Sequence, residues 1–486
     1  MHRPPSLYGQ SLTLLTDLYE LTMACGYWKS GMADHEAVFH LFYRRQPFGG
    51  GFGVACGLAS IVEFVQSFRF DESDLSYLKT LRDNANHPLF DPEFLDLLRK
   101  MELACDIDAI PEGTVVFPEE PLVRVTGPLL QCQLLETALL NLINFQTLIA
   151  TKAARVCQAA EGDPVFDFGL RRAQGIDGGV SASRAAFVGG CAGTSNALAG
   201  KLYGIPVKGT HAHSWVMAFD TEQDAFDAYA EAMPDNSIFL VDTYDTFEGV
   251  KRAIQAGRRL AERSHRMAGI RLDSGDIAAL SIEARKMLDE AGFADTAIVA
   301  SNELDEYVIA DLKRRGARVN VWGVGTRLVT AFEEPALGGV YKLSAIRKTG
   351  EDWRYRVKLS DEAAKVSNPG VLQVRRFQKA GQLAGDAIYD ENQPPGKAWV
   401  ITGFDDSGYR RPMSSELSSE DLLHPVFRGG RCICDAPTLA EIQKRTKAQL
   451  GSLPATCKRL KDPEVYLVGL EEGVSQLKRK LMKESV

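Results

Sequence analysis

The chain has 486 residues, enough for two or three packed units, because single hydrophobic cores rarely grow beyond about 250–300 residues. Hydrophobic residues make up 45% of the chain and charged residues 25%, the proportions of an ordinary water-soluble globular protein. The formal net charge of −8 argues against general binding to nucleic acid or to an anionic membrane surface, but it leaves room for a local basic pocket that binds a small anion.

The nine cysteines are scattered from Cys25 to Cys457 without the spacing of a disulfide framework, which indicates reduced thiols in a cytoplasmic protein. Cys432 and Cys434 form a C-x-C pair, which lacks the C-x₂-C geometry typical of a zinc site. The first residues contain two prolines and no long apolar core, so they do not resemble a secretory signal. Residues 129–154 are apolar but interrupted by polar side chains, which predicts a buried helix and no membrane span.

Residues 1–160 are predicted to form an N-terminal α/β domain. The stretch DLYELTMACGYWKSG predicts a helix that Asp17 caps together with Glu20 and that ends at Gly31. A strand in EAVFHLFYRRQPFGGGFGVACG and a short β unit in GTVVFPEEPLVRVTGPL follow, the latter punctuated by proline and glycine.

Residues 161–336 change character, because short apolar strands alternate with helical segments. The six predicted strands and their ends are PVFDFGLRRA, IPVKGTHAHS, IFLVDTYDT, GIRLDSGD, AIVASNELD and VNVWGVGTR. This alternation predicts consecutive βα units with a parallel sheet, either as a barrel or as an open sheet. In both forms the carboxyl ends of the strands face one shared pocket, where chemistry takes place.

Residues 337–486 form the third predicted region. It is β-rich at first, in GGVYKLSAI, WRYRVKLS and GVLQVRRF. It then becomes helical in TLAEIQKRTKAQL and ends in a charged tail that is typical of a solvated helix face.

The predicted strand ends carry an unusual set of polar residues and glycines. Helix capping and turn formation explain Asp, Ser and Gly at such positions, but they do not call for arginine. The set comprises Asp167, Arg171, Arg172, Thr210, His211, His213, Asp242, Asp245, Arg271, Asp273, Ser274, Asp276, Ser301, Asn302, Asp305, Gly323, Gly325 and Thr326.

Such a pocket suits transfer chemistry on a phosphorylated sugar. Arg171 and the GVGT turn at residues 323–326 can bind anionic oxygens. Asp273 and Asp276 are candidate ligands for a Mg²⁺ ion that neutralises a diphosphate leaving group. A carboxylate also stabilises positive charge that develops at a sugar C1 atom.

Seven motifs in order resemble the nicotinate phosphoribosyltransferase family, a group of type II phosphoribosyltransferases. They are LLTDLYELTMACGYW, FYRRQPFGG, GLRRAQG, GTHAHSW, VDTYD, RLDSGD and VYKL, and the likeness continues to PVFRGGRCICDAPTLAEIQKR near the C-terminus. The resemblance implies an incomplete TIM-like α/β barrel with a second α/β domain formed from the N- and C-terminal regions. It also implies formation of nicotinate mononucleotide from nicotinate and phosphoribosyl diphosphate in NAD salvage, coupled to hydrolysis of ATP with Mg²⁺ through a phosphohistidine. The family assembles as a head-to-tail homodimer with shared active sites.

The resemblance assigns the phosphorylated histidine to His213, which precedes Ser-Trp, and gives His211 a supporting role. On a strand, residues 211 and 213 point to the same side, so the backbone pattern alone leaves both open. A phosphoacceptor needs one free ring nitrogen and a partner that holds the other. Asp242 matches the carboxylate that orients this histidine in the family.

The remaining site residues are also implied by the resemblance. Phe168 and a Tyr19 from the partner subunit would sandwich the pyridine ring, and Arg171 would bind phosphate or the nicotinate carboxylate. The other expected substrate contacts are Thr210, Arg271 and Asp273 at the ribose and pyridine end, Gly323, Gly325 and Thr326 at the 5′-phosphate, and Lys342 and Lys365 at the diphosphate or ATP phosphates. Arg44 and Arg45 act across the dimer or belong to a solvated loop.

Three alternatives remain open at this point. Nicotinamide or quinolinate could replace nicotinate, although the segment GGCAGTSN, with Ala192, has no carboxylate that would repel an anionic pyridine. His211 and His213 could instead bind a metal, as in amidohydrolases, but only His265 and His424 lie further along the chain. A degenerate homologue that acts as a scaffold is the third alternative.

Overall fold

The computed structural model describes residues 11–360, 366–396, 398–404 and 409–484. The chain divides into two compact units, a terminal unit of residues 1–148 and 336–486 and a central unit of residues 149–335. The sequence pattern placed the first boundary at residue 160, whereas the division lies at residue 148. The predicted class, a mixed α/β protein with a partial barrel and a second domain built from both chain ends, is confirmed.

The first segment of the terminal unit is mixed. Its elements are Leu18–Lys29 (α1), Glu36–Tyr43 (β1), Gly53–Val54 (β2), Leu58–Ser67 (α2), Glu72–Leu78 (α3), Pro92–Lys100 (α4), Asp106–Ala109 (β3), Val115–Val116 (β4), Val123–Pro128 (β5), Leu129–Leu134 (α5) and Glu136–Ala159 (α6). The α1 helix follows Asp17, but the Asp17 side chain makes no capping hydrogen bond. Glu20 is buried and accepts hydrogen bonds from the hydroxyls of Thr16 and Thr137. The predicted capping by Asp17 and Glu20 is therefore wrong, because Glu20 packs inward.

The central unit alternates strands and helices. After the end of α6 its elements are Val165–Asp167 (β6), Ile176–Gly189 (α7), Gly193–Thr194 (β7), Ala197–Tyr203 (α8), His213–Met217 (α9), Glu222–Ala232 (α10), Ile238–Leu240 (β8), Thr246–Glu262 (α11), Gly269–Leu272 (β9), Ile277–Glu290 (α12), Ala297–Ala300 (β10), Glu306–Arg314 (α13), Val321–Val324 (β11) and Thr326–Val329 (α14).

The last segment returns to the terminal unit and is rich in strands. Its elements are Gly339–Arg347 (β12), Arg354–Tyr355 (β13), Leu372–Lys379 (β14), Gln382–Asp390 (β15), Trp399–Thr402 (β16), Arg410–Met413 (β17), Ser418–Asp421 (β18), His424–Arg428 (β19), Arg431–Cys432 (β20), Leu439–Ser452 (α15), Val468–Glu471 (β21) and Glu472–Glu484 (α16).

The terminal unit has two large sheets, and the first shows why both chain ends are needed. One is antiparallel and has the order β13-β12-β1-β5-β3-β19-β20, so strands from the N-terminal segment pair with strands from the C-terminal segment. The other has the order β17-β16-β21-β15-β14-β18, and only its β15–β21 pair is parallel. Phe39 stacks on Tyr341 across the β1–β12 pair, with ring centroids 4.8 Å apart.

The sheet of the central unit is parallel and has the order β7-β6-β11-β10-β9-β8. Its strands are short and mostly buried, as expected for a parallel sheet covered by helices. The predicted strand IPVKGTHAHS contributes only one bridge, from Val207 to Thr194. The sheet thus curves through β6, β7 and residue 207 on one side and through β11 to β8 on the other, and it is left open between residue 207 and β8.

A buried ion cluster within the central unit joins the end of α6 to α13. Glu306 is fully buried, with its Oε2 atom 2.6 Å from Lys152 Nζ and its Oε1 atom 2.8 Å from Arg155 Nε. Lys152 Nζ also lies 2.5 Å from Glu333 Oε2. Charges at this depth remain ionised only when they are paired, so each member depends on the others.

Glu306→Gln should lower the free energy of unfolding by about 3–5 kcal/mol, because it removes the buried negative charge that pairs with both Lys152 and Arg155. Urea unfolding followed by circular dichroism measures this change. Glu283→Gln is the matched control, since the Glu283 side chain is 48% exposed and should shift the free energy by no more than about 0.5 kcal/mol. Equal effects of the two substitutions would contradict the role of the buried cluster.

Candidate active site at the carboxyl edge of the parallel sheet

Most of the predicted site residues lie at one edge of the central sheet, where its strands end. Parallel strands put all their carboxyl ends on the same side, so the turns that follow them share one space. The predicted residues at this edge are Phe168, Arg171, Thr210, His213, Asp242, Arg271, Asp273, Asp276, Gly323, Gly325 and Thr326.

His213 begins α9 and does not lie on a strand. Its Nδ1 atom is 3.1 Å from the hydroxyl of Thr243, and its Nε2 atom is 3.7 Å from Asp273 Oδ2. The His213 side chain is 41% exposed. Thr243 did not stand out in the sequence, although its place directly after Asp242 in VDTYD was the available signal.

Asp242 does not contact the imidazole directly. Its Oδ2 atom accepts hydrogen bonds from the backbone N–H of Asp273, at 2.7 Å, and from the hydroxyl of Ser274, also at 2.7 Å. Its Oδ1 atom is buried and makes no hydrogen bond within the described part of the chain. The contact expected between Asp242 and His213 is made by Asp273, because β8 and β9 are neighbours and the turn after β9 reaches across.

Asp273 connects three strand ends. Besides its approach to His213, its Oδ1 atom accepts a short hydrogen bond from the hydroxyl of Ser301 at the end of β10. The next residue, Asn302, has a positive φ of 95°, which is a strained conformation for a residue with a side chain. The tight turn at Asn302 follows directly on the Ser301 hydroxyl that holds Asp273.

Two arginines supply positive charge at the same edge. Arg271 donates from Nη1 to the Thr210 hydroxyl at 2.6 Å, and its Nε atom is buried without a hydrogen-bond partner among the described residues. Burial lowers the pKa of Arg271, while Asp273 and Asp242 act in the opposite direction. The side chain stays charged, since guanidinium groups do not deprotonate in proteins. Arg171 is exposed, and its charge also acts on Arg271. Unpaired donors on cations suit an anionic ligand.

Gly323 on β11 leaves space for the aromatic ring of Phe168. A Cβ atom on Gly323 would lie 2.6 Å from Cδ2 of Phe168, so only glycine lets this ring rest against the strand. Gly325 and Thr326 lie where β11 turns into α14, and Arg327 anchors this turn through an ion pair of 3.2 Å with Asp305.

Asp276, which was predicted as a metal ligand, forms an exposed ion pair with Arg315. Both of its carboxylate oxygens accept from Arg315 Nη2, at 2.7 and 2.6 Å, and Oδ1 also caps α12 at Ala279 N–H. The hydrogen bond from Arg315 lowers the pKa of Asp276 accordingly. Within residues 11–360 and the later described segments, no group of three His, Cys, Asp or Glu side chains forms a metal site. The residues therefore do not fit a metal held by the protein alone.

His211 differs sharply from His213. It is only 6% exposed, and its Nε2 atom accepts a hydrogen bond of 3.2 Å from the backbone N–H of Leu240. Burial lowers the pKa of His211 to about 4. Because Nε2 accepts this hydrogen bond, the proton of the neutral ring is on Nδ1. The paired metal ligands of the amidohydrolase alternative are thus not formed, because His211 is buried and its Nε2 lone pair is used.

The other expected site residues belong to the terminal unit. Tyr19 is 47% exposed on α1. Lys342 is half-buried on β12, and its Nζ atom donates to the Tyr341 carbonyl at 3.0 Å. Burial lowers the pKa of Lys342, and Arg44 adds to this effect. Arg45 is exposed. Lys365 lies outside the described residues.

Comparison with known families decides the classification. The N-terminal domain model of nicotinate phosphoribosyltransferase matches residues 14–144, the family model matches residues 164–377, and the C-terminal domain model matches residues 373–478. The chain belongs to the nicotinate phosphoribosyltransferase family. The identification from the seven sequence motifs is confirmed.

Relatives in this family align over almost the whole chain. Nicotinate phosphoribosyltransferase of Bacillus subtilis is 42% identical over 474 residues, which cover 95% of this chain and 93% of the relative. The human protein of the same name is 34% identical over 531 residues and covers 97% of each chain.

Two solved structures share the fold. The crystal structure of human nicotinic acid phosphoribosyltransferase superimposes with a TM-score of 0.84 and 33% identity, over 96% of this chain and 99% of that one. The nicotinate-nucleotide pyrophosphorylase structure from Pyrococcus furiosus shares the fold with a TM-score of 0.68, at 21% identity over 91% of this chain and 96% of that one. Among the helices in the described residues, none has the length and apolar character needed to cross a membrane.

The free energy of unfolding of this family member should decrease as the pH is lowered from about 6.5 to about 4. In that range His211 is protonated in the unfolded chain but neutral in the folded one, so the unfolded state binds one more proton and is favoured by acid. The cost is up to about 1.4 kcal/mol per pH unit. Urea unfolding of the natural protein and of His211→Gln across this range measures it, and the variant should show the smaller pH slope. Parallel slopes would contradict the buried neutral state of His211.

Proposed function

We propose that the chain catalyses formation of nicotinate mononucleotide and diphosphate from nicotinate and 5-phosphoribosyl 1-diphosphate, coupled to ATP hydrolysis in NAD salvage. The names of its relatives support the transfer reaction. The observation that carries the coupling is the environment of His213, whose ring is held at Nδ1 by Thr243 while Nε2 lies beside Asp273 on a partly exposed side chain. The proposed class is an ATP-dependent, ligase-type phosphoribosyl transfer.

His213 accepts the phosphoryl group in this proposal. If Nδ1 carries the proton and donates it to Thr243, the Nε2 lone pair is free to attack the γ-phosphorus of ATP. A P–N bond forms, the bond to the ADP oxygen breaks, and ADP leaves with the electron pair. The nearby Asp273 carboxylate stabilises the positive imidazolium. Water later cleaves the P–N bond and releases phosphate.

The transfer step needs anion binding and support for positive charge. The C1–O bond of the sugar breaks, diphosphate departs with the electron pair, and the nicotinate nitrogen forms the new C1–N bond. Arg171 and the unpaired Nε of Arg271 bind the anionic groups, since both lie at the same sheet edge. Asp273 is the carboxylate placed to stabilise the positive charge that develops at C1. Phe168 offers a ring face for the pyridine.

Mg²⁺ is proposed to arrive with the phosphates, because the described side chains do not form a cage for it. When bound, Mg²⁺ neutralises phosphate charge and typically takes only one or two protein carboxylates. Asp273 is the carboxylate we assign, because Asp276 is paired with Arg315.

The active protein is proposed to be a head-to-tail homodimer in which Tyr19 acts on the partner's site. The support is a run of exposed apolar side chains at the start of the chain, which a second copy would cover. These are Leu12, Leu15, Leu18, Tyr19 and Met23, with exposed fractions of 47, 39, 50, 47 and 37%. Sedimentation equilibrium tests this assembly, and a monomer at all concentrations would contradict it.

The deciding experiment is product formation with and without ATP and Mg²⁺. Nicotinate, nicotinamide and quinolinate are compared side by side with phosphoribosyl diphosphate. We expect turnover with nicotinate that ATP stimulates, because no carboxylate is present in residues 189–196 to repel its anion. Faster turnover with nicotinamide or quinolinate would replace the proposed substrate, and no turnover with any of them would favour a scaffold.

His213→Ala should abolish stimulation by ATP and leave a slow, ATP-independent transfer, because the phosphoacceptor is gone while the arginines remain. Acid-labile ³²P label from γ-³²P-ATP should also disappear. His87→Ala is the control, since the His87 side chain is 76% exposed in the terminal unit. Full ATP stimulation in the His213 variant would remove the proposed role of this residue.

Asp242→Asn should lower the phosphohistidine yield about tenfold without unfolding the protein, because a neutral amide holds the Asp273 N–H and Ser274 hydroxyl more weakly. Radiolabelling and thermal unfolding measure the two effects. Asp235→Asn is the matched control, since this 81% exposed residue precedes β8 at the opposite end of the strand. Unchanged labelling in Asp242→Asn would show that Asp242 does not act through Asp273.

A further inference from the structure

The open edge of the central sheet leaves one row of backbone groups on β8 without a partner strand. The Val241 N–H donates to the Arg271 carbonyl on β9, at 3.2 Å. Along a strand, successive N–H groups point to opposite sides, so the Leu240 N–H points away from β9. On that side no strand of the described chain follows β8. A buried N–H without an acceptor carries a substantial free-energy cost.

His211 provides the missing acceptor. Its Nε2 atom lies 3.2 Å from the Leu240 nitrogen, in the place where a carbonyl of a neighbouring strand would lie. The segment that carries His211 begins on the other side of the gap, where the Lys208 N–H donates to the Thr194 carbonyl of β7 at 3.0 Å. Residues 206–211 therefore leave the β7 ladder and reach β8 through one imidazole.

The ring of His211 is fixed by its surroundings. Its centroid lies 4.8 Å from that of Tyr229, in an edge-to-face arrangement, and 6.0 and 6.5 Å from those of Phe226 and Phe239. Aromatic contacts of this kind restrict the ring orientation. Because the ring is neutral near pH 7, Nε2 keeps the lone pair that accepts the N–H.

The neighbours of His211 on the chain make the contacts of the active site. The Thr210 hydroxyl accepts a hydrogen bond from Arg271. His213, two residues after His211, lies next to Thr243 and Asp273. Thr243 and Asp273 follow β8 and β9, so both lie on the far side of the open edge from β7. The distance from His213 to these partners is thus set by how residues 206–213 are held against β8.

We infer that His211 is a positioning residue, whose Nε2···H–N bond to Leu240 closes the open edge of the barrel and sets the reach of His213 to Thr243 and Asp273. The kinetic part of this inference rests on the proposed function, whereas the closure itself does not. His211 performs no chemistry on a substrate.

Two variants of His211 distinguish the effect of its hydrogen-bond acceptor from the effect of its side-chain volume. Glutamine places an oxygen about where Nε2 lies, while leucine fills the space without an acceptor. In the full-length protein, hydrogen exchange at the Leu240 amide should be about tenfold faster in His211→Leu and near the natural rate in His211→Gln, since one net hydrogen bond corresponds to about a tenfold change. The phosphohistidine yield and kcat should fall about tenfold in the leucine variant, with KM for nicotinate within about twofold, and recover in the glutamine variant.

Each result has a defined meaning. Natural exchange at Leu240 in His211→Leu would overturn the closure, whatever the protein catalyses. Faster exchange with unchanged labelling and kcat would overturn the positioning role. If the natural protein itself forms neither label nor product, the proposed function fails while the exchange measurement still decides the closure.

A measurement on the natural protein covers the case in which His211→Leu does not fold. Selective ¹⁵N labelling of histidine reports which ring nitrogen carries the proton. We expect the Nδ1–H tautomer for His211, with Nε2 as the acceptor. An Nε2–H tautomer would overturn the inference, because that nitrogen would then have no lone pair in the ring plane for Leu240.

Discussion

A sheet edge that lacks a neighbouring strand exposes backbone N–H groups, and in the central unit such an edge runs along β8. Strands β6 to β11 form one parallel sheet beside this gap, and the segment that carries His213 runs from β7 towards β8 across it. The bond between Leu240 N–H and His211 Nε2 spans it. We infer that the place of His213 beside the ends of β8 and β9 depends on this bond, together with the hydrogen bond from Arg271 to Thr210.

The two histidines of the GTHAH segment differ in burial and in hydrogen-bond partners, and we propose different roles for them. His211 is 6% exposed and is kept neutral by burial, which makes it a reliable acceptor and a poor phosphate acceptor. The His213 side chain is 41% exposed and has a hydroxyl at one nitrogen and a carboxylate near the other. The α9 helix begins at His213, whereas His211 lies before the helix.

The carboxylates at the sheet edge form a chain in which each holds the next. Asp242 binds the backbone of Asp273, and Ser301 binds the Asp273 side chain, so the carboxylate beside His213 is fixed from two strand ends. Asp276 belongs to a different structure, a helix cap paired with Arg315. The result is an oriented carboxylate whose charge acts on Arg271 at the same sheet edge, which favours an anionic ligand that develops positive charge during reaction.

The amino-acid sequence by itself determined the family, the alternation of strands and helices, and the residue types at the strand ends, because these follow from local patterns and from motifs of contiguous residues. It predicted His213, Arg271 and Phe168 at one edge for that reason. It predicted that His213 lies on a strand, that Asp242 contacts the imidazole and that Asp276 binds a metal ion. Each of these features depends on contacts between distant segments. Only the tertiary structure decided that Asp273 and Thr243 lie next to His213, that Arg315 pairs with Asp276, and that His211 accepts the N–H at the open sheet edge. The physical reason is that these hydrogen-bond partners depend on which strands become neighbours.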